Sequence, residues 1–167
     1  MSIGETLANE LAHEAIATRR HLERVPEDKF GWKPHERSMA LGALASHLAN
    51  IPEWAGVTMN TTFLDLDTGQ YRPLEATTRA ELLAAFDKFV AASKDTLAAK
   101  PDEEYMVPWS MKFGGKVAFS MPRIAVLRSM ILNHSVHHRA QLGVYLRLLG
   151  VDVPSTYGPS ADEQPAR

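Results

Sequence analysis

The sequence predicts an all-α chain, a four-helix bundle with a long loop or short hairpin before its last helix. Three observations point there. Apolar residues recur at helical spacing over four segments, two of those segments begin with capping signals, and the polar, Gly- and Pro-containing remainder falls between them.

In the first segment Ser2 and Glu5 have the form of a capping box, and Leu7, Leu11, Ala15 and Leu22 form one stripe. The spacing predicts a helix from Ile3 to Arg24, stopped by Pro26. It carries Glu10, His13 and His21, and Glu10-x-x-His13 is half of a di-iron carboxylate pattern. That pattern needs inward carboxylates elsewhere, and 121–150 contains no Asp or Glu, so His13 and His21 are read as polar or packing residues. Residues 26–37 form a loop that Trp32 anchors to the bundle. Ser38 is the expected N-cap of the second helix, SMALGALASHLANIPEWAG, where His47 lies in the stripe Ala40, Ala43, Leu44, Ile51. Pro52 predicts a kink or a fresh helix start near Ile51.

Residues 60–76 should be a long connection. Thr78 and Glu81 form a second capping box, and Leu82, Leu83, Phe86, Phe89, Val90 and Leu97 give the third helix its buried stripe up to Lys100. The stretch 102–120 is read as non-helical, with a short hairpin turning at Gly114-Gly115 and interrupted by Pro108. Trp109, Met111 and Phe113 are expected to pack over the bundle end. Pro122 opens the last helix, which runs to Leu149. A second apolar surface on it, Ala125, Leu132, Val136 and Gly143, predicts burial on two sides and hence a homodimer through this helix. The domain reading is a bundle over 1–150 and an extended tail over 151–167.

The chain of 167 residues, 45% hydrophobic and 23% charged, suits one domain with its own core. A net charge of −2 gives no electrostatic case for nucleic acid or an anionic membrane. The absence of cysteine excludes disulfides, thiolate zinc sites and an enzyme-borne thiol nucleophile. Any thiol chemistry needs a thiol brought by a cosubstrate. No basic start followed by an apolar run marks a signal peptide, and no stretch approaches about 18 apolar residues, so the expected location is cytoplasmic.

The chemistry concentrates in Asn133–Leu142, NHSVHHRAQL. At about 100° per residue, His134 and His138 share a helix face, with Cβ atoms roughly 5–6 Å apart; two imidazole nitrogens can meet on one ion while the backbone stays helical. His137 points along the edge of that face. Burying two unpartnered imidazoles would cost on the order of 1–3 kcal/mol each, and the surrounding face of Leu127, Met130, Ile131, Leu142 and Tyr145 supplies no side-chain acceptor. Two ligands leave an ion short, and His47 is the other histidine on a well-defined inward stripe. The candidate metal ligands are therefore His47, His134 and His138. Three imidazoles with an open position suit a catalytic zinc site, and zinc or nickel is expected, with iron and copper also compatible. No catalytic or cofactor-binding residue is assigned. Glu53 and Glu36 lie nearest His47 in sequence and are read as surface charges.

SHLAN around His47, the segment NHSVHHRAQLGVYLRLLG and the following VPSTYGPSADE together resemble the DinB superfamily of metal-dependent four-helix-bundle proteins, by order of elements over nearly the whole chain. The resemblance implies ligation by His47, His134 and His138, and places His137 at a position that is not a ligand. The family commonly has Arg-Gly-Gln after the last histidine, where this chain has Arg139-Ala140-Gln141. Relatives include bacillithiol transferases and mycothiol-dependent maleylpyruvate isomerases, and dimers are common among them. The implied activity is metal-dependent activation of a low-molecular-weight thiol for transfer to a small substrate. The alternatives are a metal-dependent hydrolase or a non-enzymatic, stress-related metal-binding protein.

Overall fold

The structure, a computed structural model of the chain, describes residues 1–69 and 71–164. Its helices are α1 (Ile3–Glu23), α2 (Leu41–Asn50), α3 (Glu53–Asn60), α4 (Arg79–Ala98), the short α5 (Arg123–Val126) and α6 (His134–Leu148). Three strands, β1 (Phe63–Asp65), β2 (Pro108–Phe113) and β3 (Lys116–Pro122), form a mixed sheet in that order, with β1 parallel and β3 antiparallel to β2.

The sheet overturns the all-α expectation: the chain is a mixed helical and β arrangement, not a pure four-helix bundle. The hairpin is where the glycines placed it. Phe113 pairs with Lys116, leaving Gly114 and Gly115 alone at the turn with φ of 55° and 81°, the left-handed values a two-residue hairpin turn needs at both central positions. Pro108 begins β2 rather than interrupting the hairpin. β1 was illegible because a three-residue strand inside a connection has no periodicity of its own. The carboxylate of Asp65 holds it in place, accepting from the main-chain N–H of Gly114 at 3.0 Å and of Gly115 at 2.7 Å. Trp109 and Met111 are buried while Phe113 is exposed, so the expected packing holds for two of the three.

Both capping boxes form, Ser2 with Glu5 and Thr78 with Glu81. Ser38 is not the cap of α2: the helix starts at Leu41 behind Ala40, with no side-chain cap. Pro52 separates α2 from α3 as a fresh start. Residues Asp102–Met106, expected to be non-helical, make a 3-10 turn. Leu7, Leu11 and Leu22 of α1, Leu41, Leu44 and Leu48 of α2, Leu82 and Phe86 of α4, and Leu142 and Leu146 of α6 share one core.

Between α5 and α6 the winding is not uniform, for Leu127–Asn133 forms a π-helical turn. The residues that suggested a second apolar face are largely covered within the chain. Leu132 is buried, and a side chain at Gly143 would meet His21 of α1 and Val153 of the tail, each at 3.6 Å. Residues 151–164 contain no helix or strand and are tied back by Asp162 on Arg147 and Glu163 on Arg20. The tail's last three positions, 165–167, lie outside the described residues. No helix among the described residues is long and apolar enough to cross a membrane.

Candidate metal centre

His47 stands on α2 between the buried Leu44 and Leu48, which fix that helix face against the core. His134 and His138 stand one turn apart at the start of α6. The fold brings all three together. Nε2 of His134 lies 3.4 Å from Nε2 of His47 and 2.7 Å from Nε2 of His138, and one ligand atom from each ring falls within 4.8 Å of the others. Two nitrogens each about 2.0–2.1 Å from a tetrahedral zinc stand about 3.3 Å apart, so the first separation already matches one edge of such a site.

The opposite ring nitrogens determine which atoms are free. Nδ1 of His134 faces the main-chain oxygen of Met130 at 3.2 Å, and Nδ1 of His138 faces Oε1 of Gln141 at 2.7 Å. Neither oxygen carries a proton, so in the neutral rings the hydrogen sits on Nδ1 and Nε2 is a bare lone pair. Two such lone pairs face each other at 2.7 Å. That arrangement is repulsive by itself and is relieved by a cation between them. The donor set therefore fits a metal ion, and the Nδ1 contacts are of the kind that orient metal-ligating histidines.

Burial favours the ligand form of every ring. His47 is pushed down to about 4, first by burial and then by the charges of His138 and His134. His134 and His138 are also lowered, chiefly by burial, against the opposing hydrogen bonds to Met130 and Gln141. All three are neutral near pH 7.

The other histidines stand apart. His13 and His137 are exposed; the His137 ring lies 4.8 Å from that of His138 between centroids. His35 is on the surface loop. His21 is buried, with Nδ1 on the Ala17 carbonyl at 2.8 Å. Trp32 packs edge-on against Tyr145. Of the two glutamates nearest His47, Glu36 is exposed and Glu53 accepts from Asn50 at 2.7 Å.

A cleft of about 400 Å3 opens beside His47, between α2 and residues 73–76, lined by Met39, Ala43, Leu74 and Glu75 among others. Its outer wall is pinned: Leu74 N–H donates to Oδ1 of Asn50 at 2.8 Å and Ala76 N–H to Oγ of Ser46 at 3.1 Å. Sequence reasoning missed this wall, whose anchors are main-chain groups. It also missed the role of Gln141, although a side chain three residues beyond His138 on the same helix face is a signal that spacing can reveal.

Three convergent imidazoles held between α2 and the start of α6 form, in a predominantly helical protein, a cluster that could hold one metal ion. The chain belongs to the DinB family, whose model matches residues 1–166. It is 26% identical over 152 residues to the uncharacterized protein YrdA of Bacillus subtilis (strain 168), covering 90% of this chain and 85% of that one. The fold is similar to that of a DinB-like protein from Bacillus cereus ATCC 10987, with a TM-score of 0.69, 21% identity and coverage of 92% of this chain and 97% of that one. It is also similar to the DinB-like protein YjoA of Bacillus subtilis, with a TM-score of 0.68, 18% identity and coverage of 95% and 99%.

Proposed function

We propose that the chain is a metal-dependent enzyme that activates a low-molecular-weight thiol for transfer to a small electrophile, with His47, His134 and His138 as the ligands. The observation that carries this reading is the composition of the cluster. Among the described residues it holds three histidines and no fourth protein ligand, the pattern of an open catalytic site and not of a closed structural one. A zinc- or nickel-class ion held there would supply a Lewis acid with free coordination positions, able to lower the pKa of a water or thiol that reaches it.

The chain's own residues do the rest. Met130 and Gln141 keep two rings turned so that their lone pairs converge, and Leu44 and Leu48 hold the third. The cleft beside His47 admits a molecule of modest size along largely apolar walls, with Glu75 as a carboxylate on its lining. The lack of cysteine means that the sulfur arrives with a cosubstrate.

The test is conjugation of bacillithiol, mycothiol or glutathione to a generic electrophile by metal-loaded protein, against the His138→Ala variant. Acceleration by the wild type with at least one thiol is expected. Equal rates for both proteins with all three thiols remove the transferase and leave the hydrolase, assayed on small esters and amides. A homodimer through the last helix belongs to the same proposal; the exposed Val144 and Leu148 on α6 support it, and sedimentation equilibrium tests it.

A further inference from the structure

The last helix must serve two frames at once. Up to the first residue of the π-helical turn it buries Arg123, Val126 and Leu127; beyond the turn it buries Ser135, Arg139, Leu142 and Leu146. On a uniform helix at about 100° per residue, measured from Val126, the first group occupies a sector of about 0–100° and the second about 160–220°. No single core face accommodates both. One extra residue in a wide turn sets everything after it back by about 100°, which returns the second group to about 60–120° and makes one continuous stripe.

The same offset decides where the ligands sit. Uniform winding would place His134 and His138 at about 80° and 120°, in line with Leu127 and inside the core sector. The offset moves them to about −20° and 20°, the edge of the buried stripe, which is where His47 and the cleft are.

We infer that the π-helical turn Leu127–Asn133 is the positioning element of the metal centre: its one surplus residue turns His134 and His138 out of the core sector and toward His47. Both sides of the turn are anchored, so the offset has nowhere else to go. Arg123 donates to the carbonyl of Thr61 at 2.8 Å and pairs with Glu104, and Arg139 is tied to Glu14 at 2.8 Å and to Thr18 at 3.3 Å. His134 is the first residue past the turn and has the least room to adjust. This inference rests on the three-histidine reading and concerns how the ligands are placed, not what they catalyse.

The experiment deletes the exposed Ser129 from the turn and measures Co2+ binding through its visible absorption. A second protein carries the same deletion with one Ala inserted between Asn133 and His134, restoring the residue count. A third, Leu146→Ala, weakens the core without changing the count. The deletion is expected to lower Co2+ affinity about tenfold or more and to alter the ligand-field bands, whereas the count-restored and Leu146→Ala proteins keep the wild-type spectrum. Wild-type affinity and spectrum in a folded deletion protein overturn the inference. Should the deletion not fold, the count-restored protein decides alone: folded and binding Co2+ it supports the inference, and folded without binding it overturns it. A wild type that binds no Co2+ removes the three-histidine reading itself, a result distinct from any of these.

Discussion

The two faces of α6 carry two polar clusters built on opposite terms. Toward the tail, Arg139 is 2% exposed and fully engaged: it donates to the Glu14 carbonyl at 3.0 Å, to Thr18 at 3.3 Å and to Tyr157 at 2.8 Å, and pairs with the Glu14 carboxylate at 2.8 Å. Tyr157 closes the ring by donating to Glu14 at 2.8 Å. Every charge has its counter-charge. Toward α2, three imidazoles bring bare nitrogens together with no acid among them. The closed cluster is a fastener. The open one has unspent capacity for a cation, which is what distinguishes a binding site from a brace. Pocket size alone would mislead here, since the larger groove, about 500 Å3, lies on the Arg139 face and the smaller cleft abuts His47.

Substitutions should separate the two clusters. The largest effect expected is on metal content: His134→Ala or His138→Ala should take bound metal from about one per chain to well below one, with little change in the melting temperature of the metal-free protein. Elemental analysis of both variants checks this, and full occupancy in both would move the site elsewhere. On the other face, Arg139→Met should leave the Glu14 carboxylate without its counter-charge and cost about 3–5 kcal/mol of stability, read by chemical denaturation. Metal per folded chain should not change. If Arg139→Met instead strips the metal, the two faces are not independent.

Smaller effects sharpen the contrast. Gln141→Leu removes the acceptor that orients His138 and should weaken metal binding about 10–100-fold while leaving stability nearly intact, measured by competition with a chelator. The pH dependence comes next. His47 is held down to about 4 when folded, whereas an unfolded imidazole titrates near 6.5. As pH falls through about 6.5 the unfolded chain takes up the proton first, so this contribution to stability is whole above that value and is lost progressively toward about pH 4. Melting the metal-free wild type and His47→Phe across this range isolates the effect; parallel curves would argue that His47 is not buried as described. Last, Tyr157→Phe should cost about 1 kcal/mol and leave metal affinity unaltered.

The candidate ligands were readable because helical spacing is a local property. His134 and His138 declare a shared face through their four-residue separation, and His47 declares its inward position through Leu44 and Ile51. The capping boxes at Ser2 and Thr78 and the Gly114-Gly115 turn were readable for the same reason, since each depends on residues within a few positions of one another. The second apolar face expected of the last helix is covered within the chain at Leu132 and Gly143.

By itself the sequence determined the residue types and the periods: which histidines face inward, where helices begin, where the chain reverses, and that the chain carries no thiol of its own. Only the tertiary structure decided that β1 pairs with β2 across more than forty residues, that a π-helical turn resets the last helix, and that His47 meets the rings of His134, 87 positions further on, and of His138 one turn beyond it. The reason is physical. Local spacing fixes directions around one axis, but distances between axes come from packing, and the main-chain carbonyls and N–H groups that finish the site, at Met130, Leu74 and Ala76, are chemically alike at every position until the fold selects them.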